Sequence, residues 1–466
     1  MEGIKRKRLT SEGLEVGELP DIESDTKTLL KKIGPGLVWS AAAIGTGELI
    51  LITRNSAMYG LRFAWMIVFL IFIKFFINYE VGRYTVLTGQ PIMGGIAKAS
   101  KILVFWFAFL PIAWQVITIS TYCVNCATLL QWIFGGRGSL AFMATIIALL
   151  SGLILYFGRY DTLEKFCTIG TSFMTLCILI SAIVFTPGKG YKELFLNIIM
   201  PKLPQNPQAW TDMMSLTGFV GAGCVGTIWY SYWLKEKGYG FGLNNNKKDE
   251  KGIDVAVIPG ETPEEVKKGK GWMKMLRLDL GIGTILTLIV CLSFFLCGYA
   301  ILQPRGLVPE GLKVVLVQAQ IMVQLIGPIG EWIYVIVAIE VMFATYLAFQ
   351  DGTSRMWDDA SRILVPKLTT KYDKRKTYRF WVIIFTIQCL ISLIVTLKDA
   401  QPLLLLQAQS ILDGAYNLPI LAVVVLIVNL KILPKIYRPS KWCVFWNIIG
   451  IIFFSIFAIF YTTTLV

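Results

Sequence analysis

The chain has 466 residues, 55% of them hydrophobic and only 16% charged, with a mean hydropathy of +0.63. That balance excludes a soluble globular protein, because the apolar runs are long enough to cross a hydrocarbon core, which takes roughly 20 helical residues. The formal charge of +14 would suit an acidic partner such as nucleic acid, but its distribution along the chain ties it to a lipid bilayer instead.

Residues 1–32 read as a mobile cytoplasmic tail, charged and without an apolar period, and no cleavable signal precedes the first span. The rest, 33–466, reads as one transporter domain of eleven spans: 34–58, 61–87, 102–134, 139–158, 163–186, 212–234, 277–302, 326–350, 378–397, 403–429 and 441–463. Basic residues cluster before span one (Lys5 to Arg8, Lys31, Lys32) and between spans six and seven (Lys235 to Lys274). They cluster again between eight and nine (Arg355 to Lys376) and between ten and eleven (Lys431 to Lys441). All four clusters fall on one side. The positive-inside rule then places the N-terminus in the cytoplasm of a multi-pass cell-membrane protein, expected to be a monomer. Among the connections, 187–210, with four prolines, reads as an external loop and 238–274 as a cytoplasmic insertion. The segment 303–325 turns amphipathic and reads as an external helix leading into span eight.

Two glycine-rich breaks interrupt this pattern, Ile44-Gly45-Thr46-Gly47-Glu48 in span one and Gly221 to Thr227 in span six. Glycine weakens a helix interior, and lipid offers unpaired backbone groups no water, so such breaks belong where protein or a cavity surrounds them. They hold corresponding places in two five-span halves, 34–186 and 212–429, which an odd span count relates by inverted topology. Span eleven, 441–463, lies outside the repeat. Paired breaks of this kind mark a transporter's binding site near the bilayer midplane. The competing reading is that these glycines only let helices pack closely, and Ala41-Ala42-Ala43 suits it.

The stretch Gly34-Pro35-Gly36 through Gly45-Thr46-Gly47-Glu48 resembles the first span of the natural resistance-associated macrophage protein (Nramp) family. In that family GPG is followed, after about eight residues, by Asp-Pro-Gly-Asn. Asn78-Tyr79 through Leu87-Thr88-Gly89 is similar to the family's QY…VTG stretch. The resemblance implies a LeuT-type, all-α polytopic fold with broken helices 1 and 6, and transport of divalent transition metals, commonly with protons. The chain is identified as a divergent member. Gly45 falls where the family has its metal-binding aspartate, Thr46 on its proline and Glu48 on its asparagine. The family's Met-Pro-His-Asn falls on Val225-Gly226-Thr227-Ile228, and the acids of its third span fall near Ile119 and Tyr122.

Glu48 is the leading candidate for a substrate and metal ligand, since a carboxylate at the midplane costs at least ~2.5 kcal/mol and marks function by default. Its alternative role is a buried partner for a base such as Arg54. Carbonyls of Gly45 and Gly226, hydroxyls of Thr46 and Thr227, the Val225 turn and Gln409 in span ten add oxygen ligands. An all-oxygen set suits hard cations such as Mg²⁺ better than iron. Glu340, alone in the middle of span eight, is the candidate coupling group. Glu80 and Arg83 read as a structural pair, and Asp413-Gly414 as an unwound or hinged point in span ten. The run Trp229 to Trp233 reads as an interfacial aromatic belt, or alternatively as rings facing a cavity. Nine cysteines lie almost wholly in apolar spans and read as packing, and the chain has no histidine, so imidazole ligands and histidine relays are excluded. No cofactor is expected, and no nucleophile–base pair suggests an enzyme. A transporter of a small hard cation ranks first. A carrier for a small amino-bearing organic solute and a non-transporting membrane sensor are the alternatives.

Overall fold

The structure is a computed structural model that describes residues 14–465 apart from 24, 46–47, 113–118, 159, 245–246, 251, 309–313, 370 and 399–401. Among the described residues nine helices are long and apolar enough to cross a membrane. The other two expected spans, one and three, are described in shorter helices, Pro35–Ala43 and Thr53–Tyr59 for one and Lys101–Ala108 and Ser120–Ile133 for three, so nine rather than eleven reach that length. Helix ends follow local chemistry. Span seven starts with Thr262, whose hydroxyl accepts the Glu265 N–H, then Pro263, with Glu264 and Glu265 in the first turn. Span two, Ala64–Thr88, stops at Gly89, which takes the left-handed conformation that ends a helix without a Cβ clash.

The packing has the pairing that an inverted repeat demands. Span two packs on seven, three on eight and four on nine, and the first half of span one on the second half of six. Four of the five counterpart pairs thus meet, as a pseudo-twofold relation between the halves requires. Span six is the centre, with 94% of its apolar window buried, whereas spans four and eleven bury only 28% and present the rest to lipid.

Several expectations for the connections need correction. The N-terminal segment is folded from residue 14 onward: Glu15–Gly17 pairs in parallel with Val257–Pro259 of the long insertion. The Leu19 N–H donates to Glu265 at 2.8 Å, and the Trp272 indole to the Pro20 carbonyl at 2.8 Å. Leu19 and Leu29 are buried. The tail lacks an apolar period because single leucines dock into the insertion and span seven. Segment 187–210 contains a helix, Gly188–Ile199, and span eight runs well past its expected end, as Ile329–Leu364. The helix expected before it is present at Val314–Ile326.

Candidate functional site

Both breaks are real. In span one the helix Pro35–Ala43 ends, and the chain resumes at a π-helical turn, Glu48–Ile52, leading into Thr53–Tyr59. In span six, Pro207–Met214 and Leu216–Phe219 form the first half and Cys224–Glu236 the second. The unwound residues are 220–223, with Gly221 at φ 71° and Ala222 at φ 58°. Positive φ is routine for glycine, whereas for alanine it costs about 1–2 kcal/mol, strain of a kind that clusters at binding sites. The break therefore sits just before Val225, Gly226 and Thr227, which form the first turns of the second half-helix.

A narrow cavity of about 30 Å³ opens at this point, room for about two water-sized groups. Its walls include Ala42 and Ala43 of span one, Ala222, Gly223 and Gly226 of span six, Phe349 of span eight, and Gln409 and Asp413 of span ten. Trp229 and Phe349 close one side with rings at right-leaning angle, 74° apart and 4.4 Å between centroids. One turn farther along the same helices, Tyr232, Glu236, Asp351 and Arg355 line a larger cavity of about 460 Å³ at the end carrying 238–274. Its charges are largely paired among themselves, Arg355 with Glu236 at 2.6 Å and with Asp351 at 2.9 Å.

Span ten supplies the polar wall. Gln409 and Asp413 are four residues apart and so share a helix face, and Asp413 lies in a second π-helical turn, Leu412–Asn417. Such turns widen a helix without breaking it and recur at functional sites. The point expected to be unwound or hinged is instead this helical turn, continuous with the helices on either side. The Asp413 carboxylate accepts the Val225 N–H at 3.2 Å, at the positive end of the second half-helix. A Cβ on Gly223 would overlap that carboxylate, so glycine is required there. The Gln409 carbonyl oxygen is buried with no hydrogen-bond partner, an oxygen that has lost water and gained nothing. On the opposite side Lys74 of span two, fully buried, donates to the Val220 carbonyl at 2.6 Å.

The other candidates divide. Gly226 and Gln409 line the cavity, and Thr227 is buried beside it with an unpartnered hydroxyl. Gly45 packs against Thr345 of span eight, whose hydroxyl donates to the Ala41 carbonyl at 3.1 Å, so this glycine serves close packing. Thr46 and the Glu48 side chain lie outside the described residues. Arg54, offered as a partner for Glu48, meets Asp212 at 3.5 Å. Glu340 lies away from the cavity against Gly170 of span five, both oxygens buried without a partner. Glu80 and Arg83 do pair, at 2.9 Å, with Asn429 donating to Glu80, and the pair is buried. The aromatic belt is overturned: Trp229, Tyr230, Tyr232 and Trp233 are all buried in the bundle, and among them Trp229 lines the cavity. Among the described residues no three histidine, cysteine, aspartate or glutamate side chains converge as a metal cluster.

Two buried aspartates went unread in the sequence. Asp279 of span seven accepts the Gly34 and Gly36 N–H groups at 2.9 and 2.7 Å, plus the Tyr230 hydroxyl at 3.0 Å. Asp212 at the other end accepts from Tyr59 and Gln407, each at 2.6 Å, besides facing Arg54. Their signal was present, since each is a lone carboxylate in an apolar segment.

Comparison with known proteins agrees with this architecture. A 346-residue stretch is 24% identical to the uncharacterized protein PM0681 of Pasteurella multocida (strain Pm70), covering 72% of this chain and 71% of that one. The solved manganese transporter of Eremococcus coleocola, in complex with an aromatic bis-isothiourea compound, superposes with a TM-score of 0.66 at 14% identity, covering 98% and 91% of the two chains. MhsT bound to L-phenylalanine does so at 0.57 and 12% identity, covering 92% and 98%. At these identities the likeness concerns the fold, a LeuT-type one. The family model for natural resistance-associated macrophage protein-like proteins matches residues 36–464, nearly the whole of the membrane domain, and the chain belongs to that family.

Proposed function

We propose that the protein is a secondary transporter of a small hard divalent cation, of the magnesium or manganese class, working by alternating access with its N-terminus in the cytoplasm. The observation that carries this reading is the cavity at the span-six break. Its volume of about 30 Å³ suits an ion with a water or two and is far below what an amino-bearing organic solute needs. Its polar wall offers a carboxylate from Asp413 and an unsatisfied amide oxygen from Gln409, donors that favour hard cations over soft ones. The solved Eremococcus relative is a manganese transporter, which supports the same substrate class.

Proton coupling is not part of this reading: no acid stands where the family's third-span acids fall, near Ile119 and Tyr122. The described side-chain hydrogen bonds between spans three and nine join hydroxyls and thiols, Ser120 with Thr396 at 2.7 Å and with Ser392 at 2.8 Å, and Cys123 with Cys389 at 3.6 Å. The deciding experiment is uptake of Mg²⁺ and Mn²⁺ into proteoliposomes, compared with Asp413→Asn. Uptake by the native protein that falls at least about tenfold in the variant supports the reading, an effect in the range expected for loss of a charged ligand. Native protein that moves neither ion removes it.

A further inference from the structure

The two ends of the span-six break are held by side chains of opposite sign. At the carbonyl end of the first half-helix, the Lys74 ammonium donates to Val220 at 2.6 Å. At the amide end of the second, the Asp413 carboxylate accepts from Val225 at 3.2 Å. Each sits where the helix dipole favours its sign. Glycine at 223 makes the second approach possible, because a Cβ there would overlap Asp413. Both side chains contact the same short stretch of backbone, residues 220–225. A buried lysine within the apolar stretch Ile71 to Ile77 is an expensive choice, and packing alone would not select it.

We propose that Lys74 is a tethered counter-cation: it stands in for the transported ion whenever the site is empty. The inference rests on the cation-transport reading above and deepens it. A carrier that releases its cargo must bring the unloaded site back across the bilayer. An empty site containing a bare carboxylate makes that return slow, because an uncompensated charge in low dielectric is costly. With Lys74 fixed to the unwound backbone beside Asp413, the unloaded site carries its own positive charge. Arriving cation takes over at Asp413 and Gln409, and Lys74 keeps its bond to Val220. The return step then needs no co-transported proton or sodium ion, and the protein works as a uniporter.

The test separates net transport from exchange in proteoliposomes with Mn²⁺ as the probe. Net uptake starts from a Mn²⁺-free interior and requires the empty carrier to return. Tracer exchange, with Mn²⁺ on both sides, does not. For the native protein, net uptake proceeds without an imposed proton or sodium gradient. In Lys74→Met net uptake falls at least about tenfold while exchange stays within about twofold, as expected for an uncompensated buried charge in the return step alone. Lys74→Arg restores net uptake. Retained exchange also certifies that Lys74→Met is folded. If net uptake and exchange fall together in Lys74→Met, the lysine is structural and the proposal is overturned. It is equally overturned if native net uptake requires a proton or sodium gradient. Native protein showing neither flux defeats the cation reading itself, a distinct outcome from loss confined to the variant.

Discussion

Gln409 and Asp413 illustrate how little separates a structural polar group from a ligand. Asp413 has a partner in the Val225 N–H, whereas the Gln409 carbonyl oxygen has none. A buried unpaired carbonyl lowers the stability of the empty protein by about 1–3 kcal/mol, so its retention is explained by a guest that satisfies it. Gln409→Leu, nearly equal in size, is therefore expected to raise the melting temperature of the empty protein while reducing the stabilisation given by millimolar Mn²⁺. A thermal-shift titration reads both. A lower melting temperature with unchanged Mn²⁺ response would assign Gln409 to packing alone. Gly223→Ala tests the same wall from the other side. Its methyl overlaps the Asp413 carboxylate, and overpacking of that kind costs about 1–3 kcal/mol together with cation binding. Gln409 was legible in the sequence because a polar residue in an apolar span announces itself. Lys74 and Asp413 were equally visible as charges, but their meaning was not. Lys74 finds its acceptor 146 residues away, and no spacing rule reaches that far.

The half-helices are secured at their outer ends by the two aspartates. Asp279 fastens the start of span one and, through Tyr230, the second half of span six to span seven. It also explains the Gly-Pro-Gly opening. Gly36 must lack a side chain because its Cβ would overlap the Asp279 carbonyl, and Gly283 must lack one because it faces Gly36. Asp212 joins the second half of span one, through Tyr59, to the first half of span six and to Gln407 of span ten. Each latch thus joins the half-helices at one end of the bundle. Asp279→Asn leaves one of the two glycine N–H groups facing an amide donor, at a cost of about 1–3 kcal/mol. Hydrogen exchange is then expected to quicken in 34–43 and 224–236 and to stay unchanged in 53–59 and 207–219. Asp212→Asn gives the reverse pattern. Uniform acceleration along the chain would mean that the aspartates support the fold in general rather than opposite ends of it. The breaks themselves were readable from glycine density, but the span-six break falls at 220–223 because Ala222 adopts positive φ, something an alanine does not advertise.

On the scale of the whole molecule, the N-terminal segment and the 238–274 insertion form a cap over one end of the bundle. Asp254 of that insertion is wedged between Lys235, at the end of span six, and Lys374, at the start of span nine, 2.9 Å from the latter. The Gln90 side-chain amide also holds its carbonyl. The cap is therefore tied to the end of span six and to the start of span nine at once. None of this was evident from composition, where the tail and insertion looked like solvated charge, because ion pairs between distant segments leave no periodic trace. Burial alone would raise the Asp254 carboxyl, but Lys374 and Lys235 outweigh it and hold the group below its usual range. A carboxylate lowered on folding contributes stability that is fully present above its unfolded value, about 3.9, and is lost as pH falls through the lowered value. The docked cap should accordingly persist through neutral and mildly acidic pH and release below about pH 4. Asp254→Asn removes the charge that the two lysines compete for and should release it at pH 7, with hydrogen exchange across 247–260 accelerating at least about tenfold once corrected for intrinsic rates. Protection in the variant equal to that of the native protein at pH 7 would show that strand pairing and Gln90, rather than Asp254, hold the cap in place.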